Sequence, residues 1–317
     1  MEEFVIHHLQ EKLAATVTLS IGTLINSSKS TLGGSDYEKT DYLMVISNQN
    51  ILCFAALFSH YKNDKHQMLY LNKIDTSGYS QIPGLPRTAI QGLIGFFAAL
   101  NPIQVHVYCA TSEQYLFHSS SSSKDKKILA DRQLVAWWLK TVDVCPTQKN
   151  YIYVPGESLV TIKKMLPSNT NWNWGFAIDK GDLAEKLPAF EDDLITKGLQ
   201  YSSPGATVAE LMEVMDCMES AGGVRAVVTV HVDRIASKME IKERKYSAMT
   251  EYCGGLLKHS FASEGDAKKS TINFLNENEL KLTELTISNN EKSVSTESKR
   301  KSENISDITN LIKKKKK

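Results

Sequence analysis

Residues Tyr108 to Leu139, YCATSEQYLFHSSSSSKDKKILADRQLVAWWL, hold the densest set of side chains able to do chemistry. An apolar strand-like run with Val105 and Val107 leads into Gln114-Tyr115-Leu116-Phe117. A serine run follows, then Lys124, Lys126 and Lys127, then an amphipathic segment with adjacent Trp137 and Trp138. That order sets aromatics, a loop suited to phosphates and a helix side by side. A plainer reading of the same residues is a solvated serine loop, a solvated lysine face and a tryptophan pair in the core.

Two further stretches carry candidate chemistry. In QIPGLPR, Pro83, Gly84 and Pro86 restrict the backbone, and Arg87 stands just before a helical run from Thr88 to Leu100. A loop ahead of a helix N-terminus, with an arginine in it, suits a phosphate or pyrophosphate. In LPAFEDD, Glu191, Asp192 and Asp193 form an acidic patch that either caps a helix or supplies a general base, because clustered carboxylates raise one another's pKa. Phosphate-binding GxGxxG and GxxxxGK[ST] motifs are absent, which excludes Rossmann dehydrogenases and P-loop hydrolases. The Q/RxxGxG/A acyl-CoA loop is absent too, since Gly92 and Gly95 follow Arg87 at the wrong spacing.

The elements that must position these residues are partly readable. Glu3–Ala14 reads as a helix, Thr16–Leu24 as a strand, and Leu24 to Asp41 as a polar loop. Tyr42–Ser47 and Ile51–Phe58 flank Asn48-Gln49-Asn50 as an antiparallel hairpin, and Gln67–Ile74 is a further strand. Tyr151–Val154 reads as a strand, Pro155-Gly156 as a turn and Ser158–Leu166 as a helix. Trp172 and Trp174, at period two, share one face of a strand. Val208–Ser220 is an amphipathic helix with a methionine stripe, and Val224–Val232 a β-branched strand. The fold class is therefore α/β, a single mixed domain with a central sheet flanked by helices.

The chain has 317 residues, 42% of them hydrophobic, enough for a large core. Its net charge of +1 hides a basic C-terminus, with Lys299, Arg300, Lys301 and Lys313 to Lys317 together. From Thr286 onward large apolar residues are sparse, so residues 1–285 are expected to form the domain and 286–317 a disordered basic tail. The two basic clusters fit a nuclear-import signal or a nonspecific tail for acidic partners such as DNA or histone chaperones. The five cysteines show no CxxC spacing and read as reduced, buried thiols, and the eight histidines form no metal motif, so no metal is expected. The MEEF start lacks the basic flank of a secretory signal, and the apolar run Ile90–Leu100 is too short to span a bilayer, so no membrane association is expected.

Four segments, in this order, resemble the fungal histone H3 acetyltransferase family, chaperone-dependent enzymes whose catalytic domain is similar to that of the CREB-binding-protein coactivators. They are YLNKIDTSGY, EQYLFHSSSSSKDKKILADRQLVAWW, IYVPGESLVTIKKML and LPAFEDD. The resemblance implies an acetyltransferase-like core that uses acetyl-CoA to acetylate a lysine of newly made histone H3. It implies H3–H4 as dimer or tetramer and histone chaperones as partners, a nuclear location, and a part in replication-coupled chromatin assembly and genome stability. Direct contact with DNA stays open.

The resemblance also implies roles. Ile74, Asp75, Thr76, Pro83, Gly84, Leu85, Pro86, Arg87, Tyr108, Ser112, Lys127, Ile128, Leu129 and Trp137 match positions that hold acetyl-CoA. Tyr115 and Trp138 match aromatics along the path of the incoming lysine, and Asp192 and Asp193 an acidic pair beside the acetyl group. Asp193 is then expected to accept the proton, Asp75 to support the site, and Lys126, Lys127 and Arg87 to meet phosphates. The chain departs from the family at Ala110-Thr111, where an Arg-Pro pair is usual, and at Leu194-Ile195, where Pro-Lys is usual and Lys197 follows. The segment between Leu100 and Tyr108 is short, without the family's insertion. These departures keep a second reading open, a noncatalytic histone- or nucleic-acid-binding protein on the same fold.

Overall fold

The computed structural model describes residues 1–13, 16–79, 82–129, 131–144, 150–166, 172–191, 193–219, 225–237, 239 and 245–288. The elements run α1 (Glu2–Lys12), β1 (Val17–Leu32), β2 (Ser35–Asn48), β3 (Ile51–Lys62), β4 (Gln67–Thr76), α2 (Leu85–Leu100), β5 (Ile103–Cys109), α3 (Asp131–Val142), β6 (Asn150–Tyr153) and α4 (Leu159–Met165). They continue with β7 (Trp172–Trp174), α5 (Leu194–Tyr201), α6 (Val208–Glu219), β8 (Ala226–Val232), β9 (Ser247–Ala248), α7 (Glu264–Glu277) and β10 (Thr283–Ile287). Among the described residues the strands form one mixed sheet in the order β10-β1-β2-β3-β4-β5-β8-β6-β7, with β9 alongside β1. Pairing is antiparallel except at β4·β5, β6·β7 and β1·β9.

Alternation along the strands sorts side chains into two cores. In β3, Phe54, Ala56 and Phe58 join one apolar cluster with α1, α2 and α3, whereas Ala55 and Leu57 join a second with Leu116, Phe117, Phe261 and α7. The α5–α6 pair covers the far end of that second face, packing on Tyr153 and Val227. Each large side chain so buried contributes roughly 1.5–3 kcal/mol of transfer free energy, which is why β3, covered on both faces, reads as an unbroken apolar run.

α2 fills the parallel crossover from β4 to β5 and packs closely on α1. A Cβ on Gly92 would stand 3.2 Å from His8 Cβ, and one on Gly95 would stand 3.1 Å from Phe4 Cε1. The glycines that failed as an acyl-CoA loop thus serve a close helix crossing.

Several boundaries differ from expectation. Leu24–Asp41 is not a loop: β1 and β2 continue as a hairpin to Gly33-Gly34, whose φ values of 54° and 75° suit a tight primed turn. Much of that arm lacks apolar alternation because it lies on the surface, with cross-strand bonds such as Thr31 Oγ1 to Asp36 Oδ1 at 2.7 Å. Leu85, Pro86 and Arg87 lie inside α2 rather than in the loop before it, since Pro is tolerated in a first helical turn. Thr286 and Ile287 belong to β10, paired with Thr18 and Val17, so the domain runs past 285. The remainder of the expected tail beyond 288 lies outside the described residues. Cys53, Cys109 and Cys253 are buried, but Cys217 is exposed on α6, and Cys145 lies outside the described residues.

Candidate active site

β4 and β5 pair in parallel only from Met68–Leu71 against Gln104–Val107. Past that point they separate. The β3–β4 register slips between Leu57 and Phe58, so Asn72 has no partner and bulges, turning the end of β4 away from β5. A cavity of about 290 Å³ opens at the carboxyl ends of these two strands, roofed by the segment from Ala110 to Leu129 and by α3.

One carboxylate organises that roof. Asp75 Oδ2 accepts the amides of Tyr115, Leu116 and Phe117 at 2.8, 2.9 and 3.1 Å. Its Oδ1 accepts the Thr76 amide at 2.8 Å and Lys126 Nζ at 2.8 Å. Lys126 Nζ also donates to Ser120 Oγ at 2.6 Å, and the Asp75 and Lys126 side chains are 5% and 4% exposed. A buried ion pair holds only when its remaining valences are filled, and here backbone amides and a serine fill them. Gly78, at φ 86°, lets the turn after β4 pass beneath: a Cβ there would stand 2.8 Å from Lys126 N. Two expectations change as a result. Lys126 is committed to Asp75 and is not free for phosphate, and the serine run is a tight turn with Ser120 buried.

The rest of the roof is tied locally. Tyr115 donates its phenol proton to the Ala110 carbonyl, and Ser112 Oγ donates to Gln114 O at 2.7 Å. Thr111 Oγ1 accepts the Asp131 amide at 3.0 Å, so the threonine standing where arginine-proline is usual anchors the start of α3. Trp137 and Trp138 meet edge-to-face, with centroids 5.0 Å apart, on the cavity wall. Trp138 is buried in the core as well, so the core and the wall readings are both true of it.

The structure thus brings Ile74, Asp75, Thr76, Pro86, Tyr108, Ser112, Tyr115, Lys127, Ile128, Leu129, Trp137 and Trp138 around one cavity. Pro83, Gly84, Leu85 and Arg87 do not line it; Arg87 Nε is buried with no hydrogen-bond partner among the described residues. Sequence reasoning missed Asn72, Cys109, Glu113 and Leu134 on the wall. Cys109 and Leu134 carry the alternation and helical spacing of core residues, and only the bulge reveals Asn72. Burial pushes the Cys109 thiol up to about 12, so it stays protonated.

Asp193 does not reach the cavity. It is the N-cap of α5: Oδ1 accepts the Thr196 amide at 2.5 Å, and Oδ2 accepts the Phe190 amide. Desolvation pushes its carboxyl up to about 6 against those hydrogen bonds. Its segment supports the wall instead, since Tyr108 donates to Pro188 O at 2.9 Å and Phe190 stacks on Tyr70 at 4.1 Å. The capping reading is the one this geometry displays, and Asp193 is not among the residues that line the cavity. Asp192 lies outside the described residues.

Among the described residues, no group of three or more His, Cys, Asp and Glu side chains could hold a metal, and no helix is long and apolar enough to cross a membrane.

The mixed α/β sheet that splays into an aromatic-walled cavity has counterparts among known proteins. The crystal structure of Rtt109 from Aspergillus fumigatus superposes with a TM-score of 0.73 over 90% of this chain and 99% of that one, at 14% identity. Histone acetyltransferase rtt109 of Schizosaccharomyces pombe is 24% identical over 280 residues, 76% of this chain and 75% of that protein. Residues 98–197 match the histone acetyltransferase KAT11-type domain. The chain is similar to these histone acetyltransferases, and the sequence matches support an acetyl-CoA-dependent lysine acetyltransferase.

Proposed function

We propose that the protein acetylates a lysine of newly made histone H3 within H3–H4, with histone chaperones as partners, in the nucleus during replication-coupled chromatin assembly. The observation that carries the reading is the convergence of Asp75, Tyr115, Lys127, Trp137 and Trp138 on one cavity at the splayed ends of β4 and β5. Acetyl-CoA fits its chemistry: Ile128, Leu129 and Leu134 offer apolar wall, and Lys127 a cation. Pro86 brings in the first turn of α2, a helix end with no acidic residue to compete for phosphate.

Transfer requires a neutral amine, whereas free lysine has a pKa of about 10.4. Aromatic walls from Tyr115 and Trp138 disfavour the ammonium by desolvation. The amine then attacks the thioester carbonyl, the C–N bond forms, the C–S bond breaks, and the thiol leaves with one amine proton. Asp75, whose oxygens are filled by donors, holds the roof in place. With Asp193 capping α5, the ammonium proton leaves through water.

Incubating the full chain with labelled acetyl-CoA and H3–H4, with and without fungal histone chaperones, tests this. Label on H3, increased by a chaperone, is the expected result; no transfer to H3 under either condition contradicts it.

A further inference from the structure

Four charged side chains line the cavity, namely Asp75, Glu113, Lys126 and Lys127. Two of them cancel. Asp75 and Lys126 form the buried pair at 2.8 Å, and the surrounding amides and Ser120 fill what remains of both groups. Glu113 and Lys127 are left, both exposed, and neither forms an ion pair or side-chain hydrogen bond among the described residues.

A free anion and a free cation on the same wall sort two substrates by sign. The cosubstrate carries phosphates, which Lys127 attracts and a carboxylate repels. The acceptor lysine arrives as a cation. Glu113 stands two residues before Tyr115, on backbone pinned on one side by the Ser112–Gln114 bond and on the other by the Asp75 clamp, so its backbone is held at the rim and its free carboxylate ranges only over the mouth of the cavity.

We propose that Glu113 is the specificity-determining carboxylate that docks the incoming lysine ammonium at the mouth of the cavity, before the amine loses its proton and passes between the aromatic walls. The assignment rests on the acetyltransferase reading above. It makes Glu113 a recruiting group for the second substrate, with no part in the bond changes at the thioester.

Steady-state kinetics of the full chain and of Glu113→Gln, varying H3–H4 and acetyl-CoA separately, test the assignment. The expected result is a rise of about threefold to fivefold in the histone KM at low salt, the size of one exposed charge contact. That rise shrinks as salt is added. The kcat stays within about twofold and the acetyl-CoA KM is unchanged or lower, because a repulsive charge has gone. Glu113→Asp restores most of the loss. An unchanged histone KM at low salt, or a raised acetyl-CoA KM, overturns the assignment of Glu113 alone. Absence of transfer by the unmodified chain in the same assay contradicts the acetyltransferase reading and this inference with it.

Discussion

Lys126 stabilises a charge that could not otherwise be buried. Truncation by Lys126→Ala leaves the Asp75 carboxylate with its amides but without its cation, at a cost of about 3–5 kcal/mol. Denaturant unfolding checks the figure, and adding Asp75→Asn should recover part of the loss, since the charge that needed pairing is gone. Additive losses would show that the two groups act independently. Tyr115 and Trp138 face the same cavity, and the Tyr115 phenol adds one local tie to the roof at Ala110 O. Trp138→Ala and Tyr115→Phe should lower kcat by more than they raise the acetyl-CoA dissociation constant, and a change confined to that constant would contradict their place on the lysine side.

Asp193 is a residue whose chemistry shows in stability. Its native carboxyl is raised from 3.8 to about 6 by burial. Between those values the folded chain holds a proton that the unfolded chain has released, so the folded state is favoured at the acid end and loses stability as pH rises through that window. Above about 6 both states are charged and the cost stays constant. Relative to Asp193→Asn, the wild-type unfolding free energy should fall by about 2 kcal/mol from pH 4 to 7. A flat difference across that range would mean the carboxyl is not desolvated in solution.

At the scale of elements, the turn after β4 and the roof depend on each other through Gly78. A Cβ at φ 86°, only 2.8 Å from Lys126 N and 2.9 Å from Lys126 Cβ, would strain the turn and push the roof outward. Gly78→Ala should therefore reduce acetyl-CoA affinity together with stability, whereas Gly34→Ala, with open space around it, should change stability through its own backbone strain alone and leave affinity intact. Titration and thermal unfolding of both variants separate these outcomes. The sequence already showed elements that meet here: β3, β4 and the amphipathic segment with the tryptophan pair that forms α3. It hid the bulge at Asn72, because a one-residue slip has no compositional mark, and the long arm of β1 and β2, because a surface hairpin needs no apolar alternation. The acidic patch left cap and base both open for a physical reason. A carboxylate that caps a helix and one that accepts a proton have the same local sequence, and only the position of α5 against the cavity separates them.

For the whole molecule, the mixed sheet explains why the site residues come from distant stretches. Parallel β4 and β5 need α2 as their crossover, which carries Pro86 to the cavity rim, and antiparallel β8 follows on the other side of β5. Splayed parallel strands leave a crevice at their carboxyl ends, the usual place for a ligand in an α/β sheet. Aromatic order, the lysine cluster and the tryptophan pair identified this region from residues alone, and the resemblance to a family assigned most of the side chains now found around it. The charge pairing inside it was not readable, because Asp75 and Lys126 are far apart in sequence and joined by the sheet.

The most direct test is a crystal structure of the chain with acetyl-CoA. The thioester carbonyl is expected within the cavity beside Tyr115 and Trp138, with phosphates toward Lys127 and the first turn of α2 and the Asp75–Lys126 pair unchanged. Acetyl-CoA bound elsewhere, or a thioester facing Asp193 with the α5 cap released, would contradict it.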